Sequence, residues 1–149
     1  MKAKLKSGIN KLIKKINNVN PLLVTWEELL YTDSMSNFQH QRAPDGQAWA
    51  ALQPATLSAR RKGRGGRGSA KILFDSGDGM DSVVTEKDTF RREVSIGIST
   101  LTDYMQYHHI RNSRGVTRKF IGWNKRLADK FVRTANTFVK EAVKAGRVA

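Results

Sequence analysis

Three groups of side chains in this chain are of the types that metal binding, catalysis or phosphate recognition needs. His108 and His109 are adjacent, and His40 is the third histidine. Neighbouring residues on a helix point about 100° apart, so this pair does not converge on one ion. The chain has no His-x-x-x-His pair and no cysteine. No metal or other cofactor is therefore expected, and the histidines read as structural or interface residues. Asp75, Asp78 and Asp81 form the second group, suited in type to magnesium or to a nuclease. They lie across a glycine-rich turn, where Asp commonly accepts backbone amides. The bidentate glutamate that closes an EF-hand is missing. No order of Ser, His and Asp builds a persuasive triad. The chain reads as a non-enzyme.

The third group is basic. Arg60, Arg61, Lys62, Arg64 and Arg67 are separated by glycines in Arg-Arg-Lys-Gly-Arg-Gly-Gly-Arg-Gly-Ser. Residues 60–69 are expected to form a mobile basic loop. Such a segment adapts to phosphates and adds salt-dependent affinity. No aromatic residue is interleaved, so neither base stacking nor sequence readout is expected. The Gly-x-x-x-x-Gly-Lys-Ser/Thr of a P-loop is absent. The formal net charge is +14. A field of that sign attracts nucleic acid, anionic membrane or an acidic protein. The loop thus reads as a contact for DNA or an acidic neighbour, or as a solvated loop with no specific partner.

With 149 residues the chain is long enough for one domain with a real core. Its apolar fraction, 39%, is below the globular average, so part of the surface is expected to await a partner. No apolar run approaches the roughly 20 residues of a membrane helix. Ile9, Leu12, Ile13 and Ile16 are interrupted by polar residues, unlike a secretory signal. The expectation is a soluble protein, made inside the cell, with no membrane partner.

The elements that must position these groups follow from periodicity. Ile9, Leu12, Ile13 and Ile16 at helical spacing predict an amphipathic helix over Ser7 to Asn17. It is expected to dock on the protein's own core or on a neighbouring subunit. Asn20-Pro21 restarts a helix, with Asn20 as N-cap. That helix carries Leu22, Trp26, Leu29, Leu30 and Phe38 inward, and Thr32 to Ser36 are expected to fray or bend it. Pro44-Asp45-Gly46 predicts a tight turn. Thr56 is expected to cap a short helix through Arg61. Strands are predicted at Ile72 to Phe74, Met80 to Thr85, Thr89 to Ile98 and Val116 to Ile121. Thr100 or Thr102 opens a helix with Tyr104, Tyr107 and His108. Asn124 caps a last helix over 124–143, with Leu127, Phe131, Thr134 or Ala135, Phe138 and Ala142 inward. The class is α+β, an antiparallel sheet of about four strands with N-terminal helices over 1–37 and middle and C-terminal helices packed on it.

An ordered set of small motifs adds to this reading. Phe38-Gln39 precedes Pro44-Asp45-Gly46 and Trp49. Leu52, Thr56-Leu57, Arg60 and Lys62-Gly63 follow, then Ile72-Leu73-Phe74-Asp75-Ser76-Gly77. Further on come Gly97, Tyr104 with His108, and Arg118-Lys119-Phe120-Ile121-Gly122. In this order they resemble the virion morphogenesis (tail completion) family of tailed bacteriophages. The resemblance runs from Phe38 to Gly122, and lacks that family's glycine after the histidine and its proline before Arg118.

The resemblance implies a structural virion protein of the tail or neck, made in the host cytoplasm. It implies a tail completion or terminator role at the head-proximal end of the tail, permitting head–tail joining. The implied partners are other copies of the chain in a ring, of six by analogy with tail tubes, the tail tube, and neck or connector proteins. Packaged DNA is a non-specific candidate contact, through Arg60, Arg61, Lys62, Arg64 and Arg67. The motif residues Phe38, Pro44, Asp45, Gly46, Trp49, Leu73, Asp75, Gly77, Tyr104, His108, Arg118, Phe120 and Gly122 are expected to be structural. The competing reading is a non-specific nucleic-acid-binding module, supported by charge alone.

Overall fold

The computed structural model describes residues 2–61, 70–74, 77–99, 104–110 and 115–147. Its elements are α1 (Lys2–Asn17), α2 (Asn20–His40), α3 (Pro54–Arg61), α4 (Asp78–Asp81), β1 (Val83–Asp88), β2 (Glu93–Ile98), α5 (Tyr104–His109) and α6 (Lys125–Arg147). The fold is mixed helix and sheet, as expected. The sheet among the described residues holds two antiparallel strands, β1 and β2, and not about four.

Each missing strand has a local cause. At 71–74 Leu73 takes φ 59°, a left-handed conformation that no strand tolerates. The Ile72 N–H there donates to Gln41 Oε1 and not to a ladder. Before β1, Gly77 at φ 96° starts the single turn of α4. Met80 and Asp81 N–H groups both donate to the Gly77 carbonyl, so the strand begins only at Val83. Thr89 to Arg92 belong to the hairpin turn. Asp88 Oδ1 accepts from the N–H groups of Phe90 and Arg91, and Arg92 sits at φ 59°.

The segment 116–121 alternates as a strand would, with Arg118 and Phe120 buried. Its backbone groups are taken by other partners. Arg118 N–H donates to the His108 carbonyl. The Lys119 carbonyl accepts from Trp49, and the Phe120 carbonyl from Ser34 and Asn37.

The helices follow the sequence more closely. α1 starts earlier than Ser7. α2 runs unbroken through Thr32 to Ser36, because Asp33 and Ser34 are buried as hydrogen-bonding groups. Ser34 Oγ donates to the Phe120 carbonyl, and Asp33 accepts from Asn124 Nδ2. α3 begins at Pro54, so Thr56 lies inside it. Proline fits a first helical turn, where its missing N–H costs nothing. Thr100 and Thr102 lie outside the described residues. α6 follows Asn124 and runs past 143 to Arg147.

The chain forms two compact units. One comprises Met1–Leu29, Glu86–Ser95 and Lys125–Ala149. In it α1 packs along α6. Leu12 is half-buried, whereas Ile9, Ile13 and Ile16 are exposed. Leu23, Leu127 and Ala142 are buried. Trp26 stacks on Phe131 at 5.0 Å, and its Nε1 donates to Thr134 Oγ1 at 2.8 Å. The other unit comprises Leu30–Thr85 and Ile96–Asn124. Its core is Phe38, Trp49, Ile72, Val83, Met105 and Phe120. Each fully buried side chain of this size contributes roughly 1.5–3 kcal/mol of hydrophobic stabilisation.

Candidate functional site

The second unit holds most of the motif residues. The 41–49 turn is fixed by its own backbone. Arg42 and Ala48 form an antiparallel bridge, and Ala43 N–H donates to the Gln47 carbonyl at 2.7 Å. Asp45 Oδ1 accepts from Gln47 N–H at 3.0 Å, and Gly46 takes φ 92°. The exposed Asp45 and Gly46 thus form the turn itself, which sends Trp49 inward.

Trp49 meets Phe38 edge to face, with ring centres 5.7 Å apart. Phe38 packs on Phe120 at 4.9 Å, and the His109 ring meets Phe120 edge-on at 5.0 Å. The Trp49 indole donates to the Lys119 carbonyl at 2.8 Å. Pro44 lies against Gly122, where an added Cβ would stand 2.9 Å from Pro44 Cγ. The first and last motifs of the set therefore close on each other.

Arg118 points its guanidinium to the chain just after Trp49. Nε and Nη2 donate to the Ala50 carbonyl at 3.1 and 3.0 Å, and Nη2 reaches the Ala51 carbonyl at 3.3 Å. Burial lowers its pKa, and the Arg60 charge lowers it further. Arg60 lies on α3 and donates from Nη1 to the Lys71 carbonyl at 2.9 Å. Of the expected basic contact, Arg60 and the backbone of Arg61 are described; Lys62, Arg64 and Arg67 lie outside the described residues, as does Asp75.

The two adjacent histidines separate as helical geometry requires. His108 contributes to a cavity of about 550 Å³ that also takes in Arg60, Arg118, Leu73 and Tyr104. Tyr104, exposed at the start of α5, meets the His108 ring edge-on. Burial, and then Arg118, lower the His108 pKa. Burial, and then Lys119, lower that of His109. His109 Nδ1 accepts from the Phe120 N–H at 3.4 Å, which places its proton on Nε2 when neutral. His40 stands at the end of α2 and donates from Nδ1 to the Ser36 carbonyl. Asp78 and Asp81 are exposed on α4. Among the described residues no three His, Cys, Asp or Glu side chains gather as a metal site would need.

The model of the phage virion morphogenesis family matches residues 2–126. The chain belongs to that family. The match starts at α1 and ends in the first turn of α6, beyond the motif span on both sides. No curated protein and no solved structure matches the chain. Membership gives this virion morphogenesis protein a structural part in building a phage particle. Among the described residues, no helix is long and apolar enough to cross a membrane.

Several residues of the frame are not evident in the sequence. Ser34, Asn37 and Gln41 anchor the Phe120 carbonyl and the Ile72 amide, yet in the sequence they read only as polar residues around Phe38. The one signal for Ser34 and Asn37 is position, on the same turns of α2 as Phe38, and Gln41 follows the helix end at φ 51°. Met105 is buried beneath Gly79, where an added Cβ would stand 2.7 Å from its sulfur.

Proposed function

We propose that this virion morphogenesis protein completes the phage tail. It caps the head-proximal end of the tail tube, or occupies the adjoining neck, as a ring of identical copies, and so permits head–tail joining. The family match over residues 2–126 carries this reading. The use of the motifs supports it. Phe38, Trp49, Arg118 and Phe120 are buried and hold one another in place, so the motif set builds a frame. Head-to-tail contacts between identical subunits generate a closed ring when the rotation between neighbours closes. A positive surface suits a channel through which DNA passes. The test is reconstitution: tail tubes incubated with the protein should become competent to join filled heads. Tubes that join equally well without it would overturn the reading.

The net charge of +14 favours one further reading, a module that binds nucleic acid without sequence preference. It predicts tight binding by the isolated chain, falling steeply and linearly on a log–log plot against salt. Weak binding that is absent at physiological salt would remove it.

A further inference from the structure

The cavity of the second unit is not used by the tail-completion reading. It encloses about 550 Å³, with Leu52, Leu73, Met105 and Val116 as apolar walls. Its charged side is Arg118 and Arg60, with the His108 imidazole beside them, and no carboxylate occurs among the described residues that line it. Arg118 is 9% exposed. Its Nε and Nη2 bond to the Ala50 and Ala51 carbonyls, which are neutral. These bonds fix the guanidinium without cancelling its charge, and a sequestered charge is costly where, as among the described residues lining this cavity, no carboxylate offsets it. His108 Nδ1 is buried in the same region and makes no hydrogen bond. Buried polar nitrogens are nearly always satisfied, and this one is left without a partner.

We propose that this cavity receives a carboxylate carried on a short acidic and apolar peptide segment of a partner protein. The fixed guanidinium attracts a carboxylate by its charge, and Nη1 is the nitrogen that neither carbonyl takes. The four apolar walls match an aliphatic neighbour on the same peptide. A phosphate on a nucleic-acid duplex stays at the duplex surface and does not follow a guanidinium into a recess. A side-chain or terminal carboxylate does. The site stands on the cavity's own geometry and does not require a role in head–tail joining.

The test uses the full chain and three capped dipeptides, followed by titration calorimetry and by the His108 ring signals in NMR. Acetyl-Leu-Glu-amide carries a side-chain carboxylate, and acetyl-Leu-Leu a terminal one. Acetyl-Leu-Gln-amide is the neutral control. At least one acid should bind saturably and move the His108 signals, with the neutral peptide about tenfold weaker or worse. Which acid binds better identifies the source of the carboxylate. Gln53 is an exposed member of the lining, and Gln53→Glu adds a carboxylate there with little change of shape. It should weaken the preferred acid about tenfold. Lys14→Gln on α1 makes the same change in net charge outside the cavity and should leave binding unchanged. Equal binding of acid and neutral peptides, binding of inorganic phosphate alone, or equal loss in the two variants would overturn the proposal.

Discussion

Trp49 Nε1 donates to the Lys119 carbonyl at 2.8 Å, joining residues 70 apart in sequence. The bond ties the turn that begins the motif set to the segment that ends it. Around it, Arg118 binds the Ala50 carbonyl and Pro44 covers Gly122. Three separate contacts therefore hold 44–51 against 118–122, with Phe38 and Phe120 packed beneath.

Replacing Trp49 tests the clamp. Trp49→Phe keeps an aromatic body and removes the donor, so the Lys119 carbonyl loses its indole partner. The expected loss of stability is about 1–2 kcal/mol. Trp49→Ala also opens a cavity in the core and should cost about 3–5 kcal/mol. Urea unfolding followed by circular dichroism measures both. A Trp49→Phe protein as stable as the parent would mean that the hydrogen bond contributes nothing.

Two glycines should respond differently to a methyl group. At Gly122 the added Cβ meets the rigid ring of Pro44 at 2.9 Å. At Gly79 it meets Sδ and Cε of Met105 at 2.7 and 2.8 Å, the flexible end of that side chain. Gly122→Ala should lose about 1–3 kcal/mol. Gly79→Ala should lose less, because methionine repacks readily. Melting temperatures of the two variants check the order, and the reverse order would contradict this account of the Pro44 contact.

Acid should weaken the fold through His108 and His109. Both pKa values are lowered in the folded state from the ordinary 6.5, mainly by burial and then by Arg118 and Lys119 respectively. As pH falls through 6.5, the unfolded chain takes up these protons before the folded one does. Their contribution is therefore intact above that value and is lost as pH falls through the folded pKa values. The melting temperature should drop as pH falls from neutral through 6.5 and below. A double variant, His108→Gln with His109→Gln, should show a smaller drop. An unchanged drop would assign the effect to other groups.

Much of the helical frame was legible in the sequence. Asn20-Pro21 marked the start of α2, and the inward positions of α6 from Leu127 to Ala142 came from spacing alone. The strands were less legible for physical reasons. Positive φ at Leu73 and Arg92 has no glycine to announce it. The backbone of 116–121 is satisfied by the side chains of Trp49, Ser34 and Asn37, which no local pattern predicts. In the site, Phe38, Trp49, Arg118 and Phe120 came from the motif resemblance. Their partners Asn37, on α2, and Gln41, just after it, did not, because a polar residue gives no sign of the distant group it will bind.

The basic segment offers a functional prediction apart from stability. Replacing Arg64 and Arg67 together by Glu should impair head–tail joining or DNA retention. The melting temperature should stay the same. Particle yields compared between parent and double variant measure this. Normal yield would remove the segment from the mechanism.

As proposed above, this virion morphogenesis protein works by assembling on a tail. The most direct measurement is its absolute mass by light scattering, at low and high salt, with and without tail tube protein. The expected result is a discrete ring, formed alone or on the tube end, that persists at high salt. A monomer that ignores the tube protein under all four conditions would contradict it.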